Sequence, residues 1–104
     1  MRPEALDFRE VIARQVAVPQ WAVENGPSIA RSFAFPDFAK AMDFANVVAQ
    51  IAEDLNHHPD MAVGWGKLRL TISTHSAGGL TELDFEFAKL VDAAWALLAP
   101  PPAV

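Results

Sequence analysis

The sequence predicts an α+β fold, a two-layer sandwich in which a four-stranded antiparallel sheet carries helices on one face. Three observations lead to this prediction. Some segments place apolar residues at every second position, whereas others repeat them at steps of three and four. In chain order these segments give a leading helix and then two strand–strand–helix units. Turn-forming residues separate the strands of each unit, which favours antiparallel hairpins.

The leading helix is predicted over residues 4–17, because Pro19 cannot continue a helix. Glu10 and Arg14 stand four positions apart, a spacing that pairs opposite charges on a helix surface. The residues expected on its apolar face are Leu6, Val11, Ile12 and Val16.

Two hairpins are predicted. The first has strands over residues 20–24 and 29–35, joined at Asn25-Gly26, where both residues tolerate positive φ. The second has strands over residues 61–65 and 68–74. Its second strand alternates cleanly, so one face of the sheet should be apolar and the other polar. The expected polar residues are Lys67, Arg69, Thr71 and Ser73.

The central and last helices are predicted from their caps. Asp37 can cap a helix that runs to about Leu55, and Thr81 with Asp84 has the spacing of a capping box. Pro100-Pro101-Pro102 ends the last helix. The expected buried residues of the central helix are Phe38, Met42, Ala45, Val48 or Ala49, and Ala52; those of the last are Leu83, Phe87, Leu90, Val91, Ala94 and Leu98.

Length and composition bound the function. The 104 residues are predicted to form one domain, 1–104, with a frayed tail from about residue 99. A net charge of −5 and no run of Lys or Arg argue against binding to nucleic acid or to a lipid surface. The absence of cysteine excludes disulfides, thiolate nucleophiles and cysteine zinc sites. No membrane span or signal peptide is recognised, so a cytoplasmic location is predicted.

The three histidines are the most informative residues. His57 and His58 follow Glu53 at the end of the central helix, and His75 ends a strand. Histidine can give and take a proton near neutral pH, so histidines with a nearby carboxylate suit general acid–base chemistry. Pro59 disfavours a helical conformation for His58, so the adjacent histidines should point in different directions.

These residues also allow other interpretations. A zinc site is disfavoured, because His57-His58 lacks the i,i+4 spacing of zinc-binding helices. A serine nucleophile beside His75 is disfavoured, because no Gly-x-Ser-x-Gly motif occurs. Capping alone would explain Asp84, and Glu53 could be an ordinary surface acid. Trp21 is either a core residue or an aromatic at the rim of a site, with the core favoured by its size.

These residues resemble the pterin-4a-carbinolamine dehydratase family. The resemblance covers roughly residues 20 to 93. It is carried by Glu53-x-x-Asn56-His57-His58-Pro59, by Trp65, by Thr74-His75-x-x-Gly78-Gly79-Leu80-Thr81-x-x-Asp84, and upstream by Trp21, Arg31-Ser32-Phe33-Ala34-Phe35 and Asp37-Phe38. Two departures are Asn56, where an acid is also found, and Met61-Ala62-Val63-Gly64, which replaces a segment that often carries an aromatic residue and an asparagine.

The resemblance implies a pair of β-β-α units that dehydrate 4a-hydroxytetrahydropterin to quinonoid dihydropterin. This step recycles the pterin of aromatic amino acid hydroxylases, which are possible pathway partners. No metal or organic cofactor is implied. A homodimer or homotetramer is implied, and the alternative function is a non-catalytic binding or dimerisation module for a partner protein.

The resemblance also implies a set of site residues. His57, His58 and His75 would line the pterin, with the first and third near the 4a-hydroxyl. Glu53 would hold the pterin or orient a histidine. Asp84 and Trp21 would lie nearby.

Overall fold

The predicted α+β class is confirmed. The computed structural model describes residues 4–25 and 27–100. A leading helix is followed by two strand–strand–helix units, and a short 3-10 turn over His75–Ala77 precedes the last helix. The helices are α1 (Phe8–Gln15), α2 (Phe38–Leu55) and α3 (Glu82–Leu98), and the strands are β1 (Ala22–Glu24), β2 (Ser28–Ala34), β3 (Asp60–Gly64) and β4 (Lys67–Ile72).

The four strands form one antiparallel sheet in the order β1-β2-β4-β3. Ile29 lies opposite Ile72 in this sheet, and Phe33 lies opposite Leu68, so alternate residues of β2 and β4 share one face. That face is buried against α2 and α3, as the period-two pattern predicts. The residues between them, such as Arg69, point to the other face.

The buried faces of α2 and α3 differ from the prediction. An aromatic cluster explains the difference, because Phe44 packs against Phe33 and Trp95 with ring centroids 5.4 and 5.2 Å away. Sequence periodicity cannot show which aromatic residues of separate elements will meet. Three predicted core residues are exposed: Phe38, Leu90 and Leu98. Of the alternatives Val48 and Ala49, Val48 is the buried one. Three buried residues were missed: Phe44, Phe85 and Ala88.

Element ends also differ from the prediction. Helix α1 begins at Phe8 because Asp7 forms a capping box with Glu10, and none of its residues is buried. Trp65 lies in the turn after β3 and is 72% exposed. Gly26 of the predicted Asn25-Gly26 turn lies outside the described residues, as does most of the predicted proline-rich tail.

The predicted Glu10–Arg14 ion pair is wrong. The carboxylate of Glu10 accepts from the backbone N–H of Asp7 instead (3.0 Å). Arg14 reaches Glu82 at the start of α3, where its Nε donates to Oε1 (2.6 Å). This pair holds the exposed helix α1 to α3.

The end of α2 positions the two adjacent histidines. Asn56 has φ 50° and ψ 43°, a left-handed conformation that asparagine tolerates better than most residues. Its N–H donates to the Glu53 carbonyl (3.1 Å), and the His57 N–H donates to the Ala52 carbonyl (3.0 Å). These two bonds form a Schellman motif, which ends α2 and changes the direction of the chain at Asn56, immediately before His57. No helix of the described residues is long and apolar enough to span a membrane.

We expect Asn56→Ala to lower the free energy of unfolding by about 1 kcal/mol, because alanine is strained at positive φ. Asn56→Gly should keep wild-type stability or exceed it, since glycine has no Cβ to strain. Urea unfolding followed by circular dichroism measures both. The control is Asn46→Ala at an exposed position inside α2, where alanine should not destabilise. Equal stabilities of the alanine and glycine variants at position 56 would contradict the expectation.

A second expectation concerns pH. The hydrogen bond from Arg14, and then its charge, lowers the pKa of Glu82. A carboxyl with a lower pKa when folded stabilises the fold above its unfolded pKa of about 4.3 and loses that contribution as the pH falls. Arg14→Gln should therefore raise the pKa of Glu82 and destabilise the protein at pH 7 more than at pH 3. NMR titration of the Glu82 carboxyl carbon tests this, with Lys40→Gln as the control; an unchanged Glu82 titration would refute it.

Candidate active site

His57 and Asp84 form a buried pair where the end of α2 meets the start of α3. The Nε2 atom of His57 lies 2.6 Å from Oδ1 of Asp84. The Asp84 side chain is completely buried, and that of His57 is 12% exposed. Capping was one sufficient explanation of Asp84, but the carboxylate both caps α3 and contacts His57.

Two threonines complete the surroundings of the Asp84 carboxylate. The hydroxyl of Thr74 and the backbone N–H of Thr81 both donate to its Oδ2, each over 2.9 Å. The two threonine hydroxyls are 2.8 Å apart. No buried polar side-chain atom among the described residues lacks a hydrogen-bond partner. A buried polar group is costly unless it is paired, so the network fixes the geometry of His57.

The role of Thr74 was missed from the sequence, although a signal was present. Thr74 continues the apolar alternation of β4 through Leu70 and Ile72, which places a hydroxyl on the buried face. A hydroxyl there needs a partner. The sequence does not show that Asp84 and Thr81 provide it.

His58 points elsewhere, as predicted for a residue before proline. Its Nε2 hydrogen-bonds to Oε2 of Glu53, and both side chains are more than half exposed. The two adjacent histidines therefore contact different carboxylates. Within residues 4–25 and 27–100, no three histidine, aspartate or glutamate side chains gather closely enough to hold a metal ion.

His75 lies at the exit of β4, next to Thr74. Thr74 and Gly79 pair as an isolated bridge, and this closes a short loop that contains the 3-10 turn. Gly78 has φ 74°, a conformation that glycine adopts without strain. The His75 side chain is exposed and makes no hydrogen bond or ion pair with the described residues. Thr74 Oγ1 is 3.5 Å from His57 Nε2, and His75 is the residue after Thr74. His57 and His75 are therefore both near the C-terminal end of β4.

Trp21 belongs to the core. It is completely buried, packs edge-on against Phe87, and donates from Nε1 to Oδ1 of Asp92 (2.7 Å). Arg31 donates to the same oxygen (2.7 Å). Of the two alternatives for Trp21, a core residue or an aromatic at the rim of a site, the structure shows the core residue. Its side chain has no exposed surface.

Two grooves formed by the described residues lie away from the histidines. One of about 250 Å³ lies between α2 and the end of α3, lined by Phe44, Val47 and Leu98. Another of about 270 Å³ lies beside α1, lined by Phe8, Val11 and Leu80. No histidine lines either groove. The histidine site combines the exposed side chains of His58 and His75 with the buried carboxylate of Asp84.

Comparison with known proteins identifies the family. The profile of the family described as pterin 4 alpha carbinolamine dehydratase matches residues 4–94. A protein of Sinorhizobium fredii with the provisional name pterin-4-alpha-carbinolamine dehydratase is 47% identical over 95 residues, which covers 90% of each chain. One of Rubrobacter xylanophilus with the same provisional name is 48% identical, covering 80% of this chain and 76% of the relative. This chain belongs to the pterin-4a-carbinolamine dehydratase family.

Solved structures agree in fold. The crystal structure of a transcriptional coactivator/pterin dehydratase from Brucella melitensis superimposes with a TM-score of 0.81 at 35% identity, covering 86% of this chain and 97% of that one. A pterin dehydratase-like protein described as a RuBisCO assembly factor in the alpha-carboxysome has a TM-score of 0.61 at 25% identity. It covers 71% of this chain and 87% of that one. The fold is thus shared by proteins described with different functions.

Removal of the carboxylate from each of the two histidine–carboxylate pairs should have very different effects on the free energy of unfolding. Asp84→Ala leaves the Thr81 N–H and the Thr74 hydroxyl buried without their acceptor, so we expect a loss of about 2–4 kcal/mol in the free energy of unfolding. Glu53→Ala removes an exposed carboxylate and should change it by less than about 0.5 kcal/mol. Urea unfolding at pH 7 compares them. Similar losses in both variants would show that the Asp84 network contributes little to folding.

Proposed function

We propose that this chain dehydrates a 4a-hydroxytetrahydropterin to the quinonoid dihydropterin by histidine general acid–base catalysis. The observation that carries the proposal is the His57 imidazole held by a buried carboxylate, in a chain of the dehydratase family. Such a dehydratase acts in the recycling of a tetrahydropterin, downstream of an aromatic amino acid hydroxylase.

The chemistry requires two proton transfers. The C4a–O bond breaks and the hydroxyl leaves as water after it receives a proton. The proton on N5 is removed, and its bonding electrons form the N5=C4a double bond. One acid and one base suffice, no electrons are exchanged with another molecule, and the proton balance closes. Histidine serves both roles near neutral pH.

The histidines divide into two kinds of candidate. His57 and His75 are the proposed acid and base at the 4a-hydroxyl and N5, because they belong to the same end of β4. His58 is proposed to line the pterin. Two roles were expected for Glu53, to hold the pterin or to orient a histidine. The contact between His58 and Glu53 favours the second.

The two buried site candidates act indirectly in this proposal. Asp84 is completely buried and reaches the reaction only through His57. Trp21 is also completely buried, and its indole joins the sheet to α3 through Asp92. Neither residue needs to touch the pterin for its loss to affect the site.

A binding module without catalysis is the second candidate. The solved relative described as a RuBisCO assembly factor favours it, because that protein shares this fold. A homodimer or homotetramer is compatible with either function. The presence of His57, His58 and His75 together with the Asp84 network favours the enzyme.

We expect His57→Ala and His75→Ala to lower the rate of dehydration about 10²-fold or more, because each removes one proposed proton-transfer group. Stopped-flow measurement of the loss of freshly generated 4a-hydroxytetrahydropterin tests this, after subtraction of the spontaneous reaction. His75→Ala is the cleaner variant, since that side chain is exposed and has no partner among the described residues.

The matched control is Asn46→Ala on the exposed surface of α2, which should keep the wild-type rate. Wild-type rates in both histidine variants would show that these residues are not the acid and base. No acceleration by folded wild-type protein would reject the dehydratase. Capture of a defined partner by wild type and His57→Ala alike would then support the binding module.

A further inference from the structure

The two oxygens of the Asp84 carboxylate have different partners. Oδ2 accepts from the Thr81 N–H and from the Thr74 hydroxyl, while Oδ1 contacts, among the described residues, only the Nε2 atom of His57. The backbone N–H can only donate. Oδ2 must therefore be a hydrogen-bond acceptor, and Oδ1 is the oxygen that contacts the His57 imidazole.

The direction of the threonine hydrogen bonds follows from their proton count. Thr74 has one hydroxyl proton, which it gives to Asp84. The Thr81 hydroxyl must then donate to Thr74 Oγ1, 2.8 Å away, while its own oxygen accepts from the Leu83 N–H at 3.2 Å. All the donors in this chain of bonds lead to Oδ2, so Oδ2 is an acceptor and Oδ1 is the oxygen left for His57.

We propose that this network fixes neutral His57 as the tautomer with its proton on Nε2, so that Nδ1 is the nitrogen that accepts a proton, and that Thr74 is a positioning residue. If Oδ1 of Asp84 is the acceptor of the 2.6 Å contact, the proton must be on Nε2 of His57. Nδ1 has no partner among the described residues, and no buried polar atom there is unpaired, so Nδ1 contacts solvent. The catalytic use of Nδ1 rests on the proposed function, whereas the tautomer is independent of it.

Asp84→Asn gives a sharp test. Its amide oxygen must take the place of Oδ2, because two donors meet there. The amide NH₂ then takes the place of Oδ1 and donates to His57 Nε2. His57 must accept at Nε2, which moves its proton to Nδ1 and blocks the proposed base. A wrong tautomer of this kind is known to abolish most activity in a catalytic histidine held by a carboxylate.

The measurement is ¹⁵N NMR of histidine-labelled protein at a pH where His57 is neutral, together with the dehydration rate. Wild type is expected to carry the proton on Nε2 and Asp84→Asn on Nδ1, with a rate at least tenfold lower. A wild-type proton on Nδ1, or an unchanged tautomer in folded Asp84→Asn, overturns the proposal. If wild type shows the Nε2 proton but does not accelerate dehydration, the proposed function fails and the tautomer assignment stands.

Thr74 is tested by Thr74→Val, which preserves shape and removes the hydroxyl. We expect kcat about tenfold lower with little change in KM, as for other groups that orient a functional imidazole. The downfield Nε2 proton signal of His57 should also shift, because Asp84 loses one of the donors that orient it. Thr74→Ser should restore that signal and most of the rate.

The matched control is Thr71→Val, since Thr71 lies in β4 three residues before Thr74 and points to the polar face of the sheet. It should change neither the His57 signal nor kcat. An unchanged signal and kcat in Thr74→Val would overturn the positioning role. If Thr74→Val does not fold, Thr74→Ser decides: loss of the His57 signal in a folded serine variant contradicts the proposal.

Discussion

The buried carboxylate of Asp84 is the constraint on which the site depends. It is completely buried, and such a group is tolerated only when it is hydrogen-bonded. Its three contacts bring separate parts of the chain together: the end of α2 through His57, the exit of β4 through Thr74, and the start of α3 through Thr81. His57 is therefore fixed by the same contacts that close the core at this end.

The division of labour between the adjacent histidines follows from backbone geometry. Asn56 ends α2 in a left-handed conformation, and Pro59 follows His58. The chain therefore changes direction within four residues, and the two imidazoles turn to carboxylates in very different surroundings. The carboxylate of one pair is completely buried, and both side chains of the other pair are more than half exposed. A single dipeptide thus supplies two imidazoles with distinct environments.

The sequence predicts much of this fold and part of this site. Period-two alternation in β4 and the caps at Asp37 and Thr81 are local signals, and the elements built on them agree closely with the structure. The helix faces were less well predicted, because the packing of Phe44 against Trp95 depends on a contact between distant segments. The same limit applies to Arg14, whose partner Glu82 lies 68 positions away along the chain. Residue types indicated the histidines, but only the tertiary structure reveals the hydroxyl of Thr74 that supports one of them.

The bridge between Thr74 and Gly79 makes one proposed site residue, His75, much easier to replace than another, Asp84. The backbone pairing across the bridge holds Thr74 in place, while the exposed His75 side chain makes no hydrogen bond or ion pair with residues 4–25 and 27–100. Replacement of His75 is therefore nearly free in folding terms, whereas replacement of Asp84 is opposed by the need to satisfy buried donors. If a chain of this fold lost its proton-transfer function during evolution, substitution of His75 would cost little stability, whereas substitution of Asp84 would cost much. The network can thus persist in descendants that no longer use the histidine it supports.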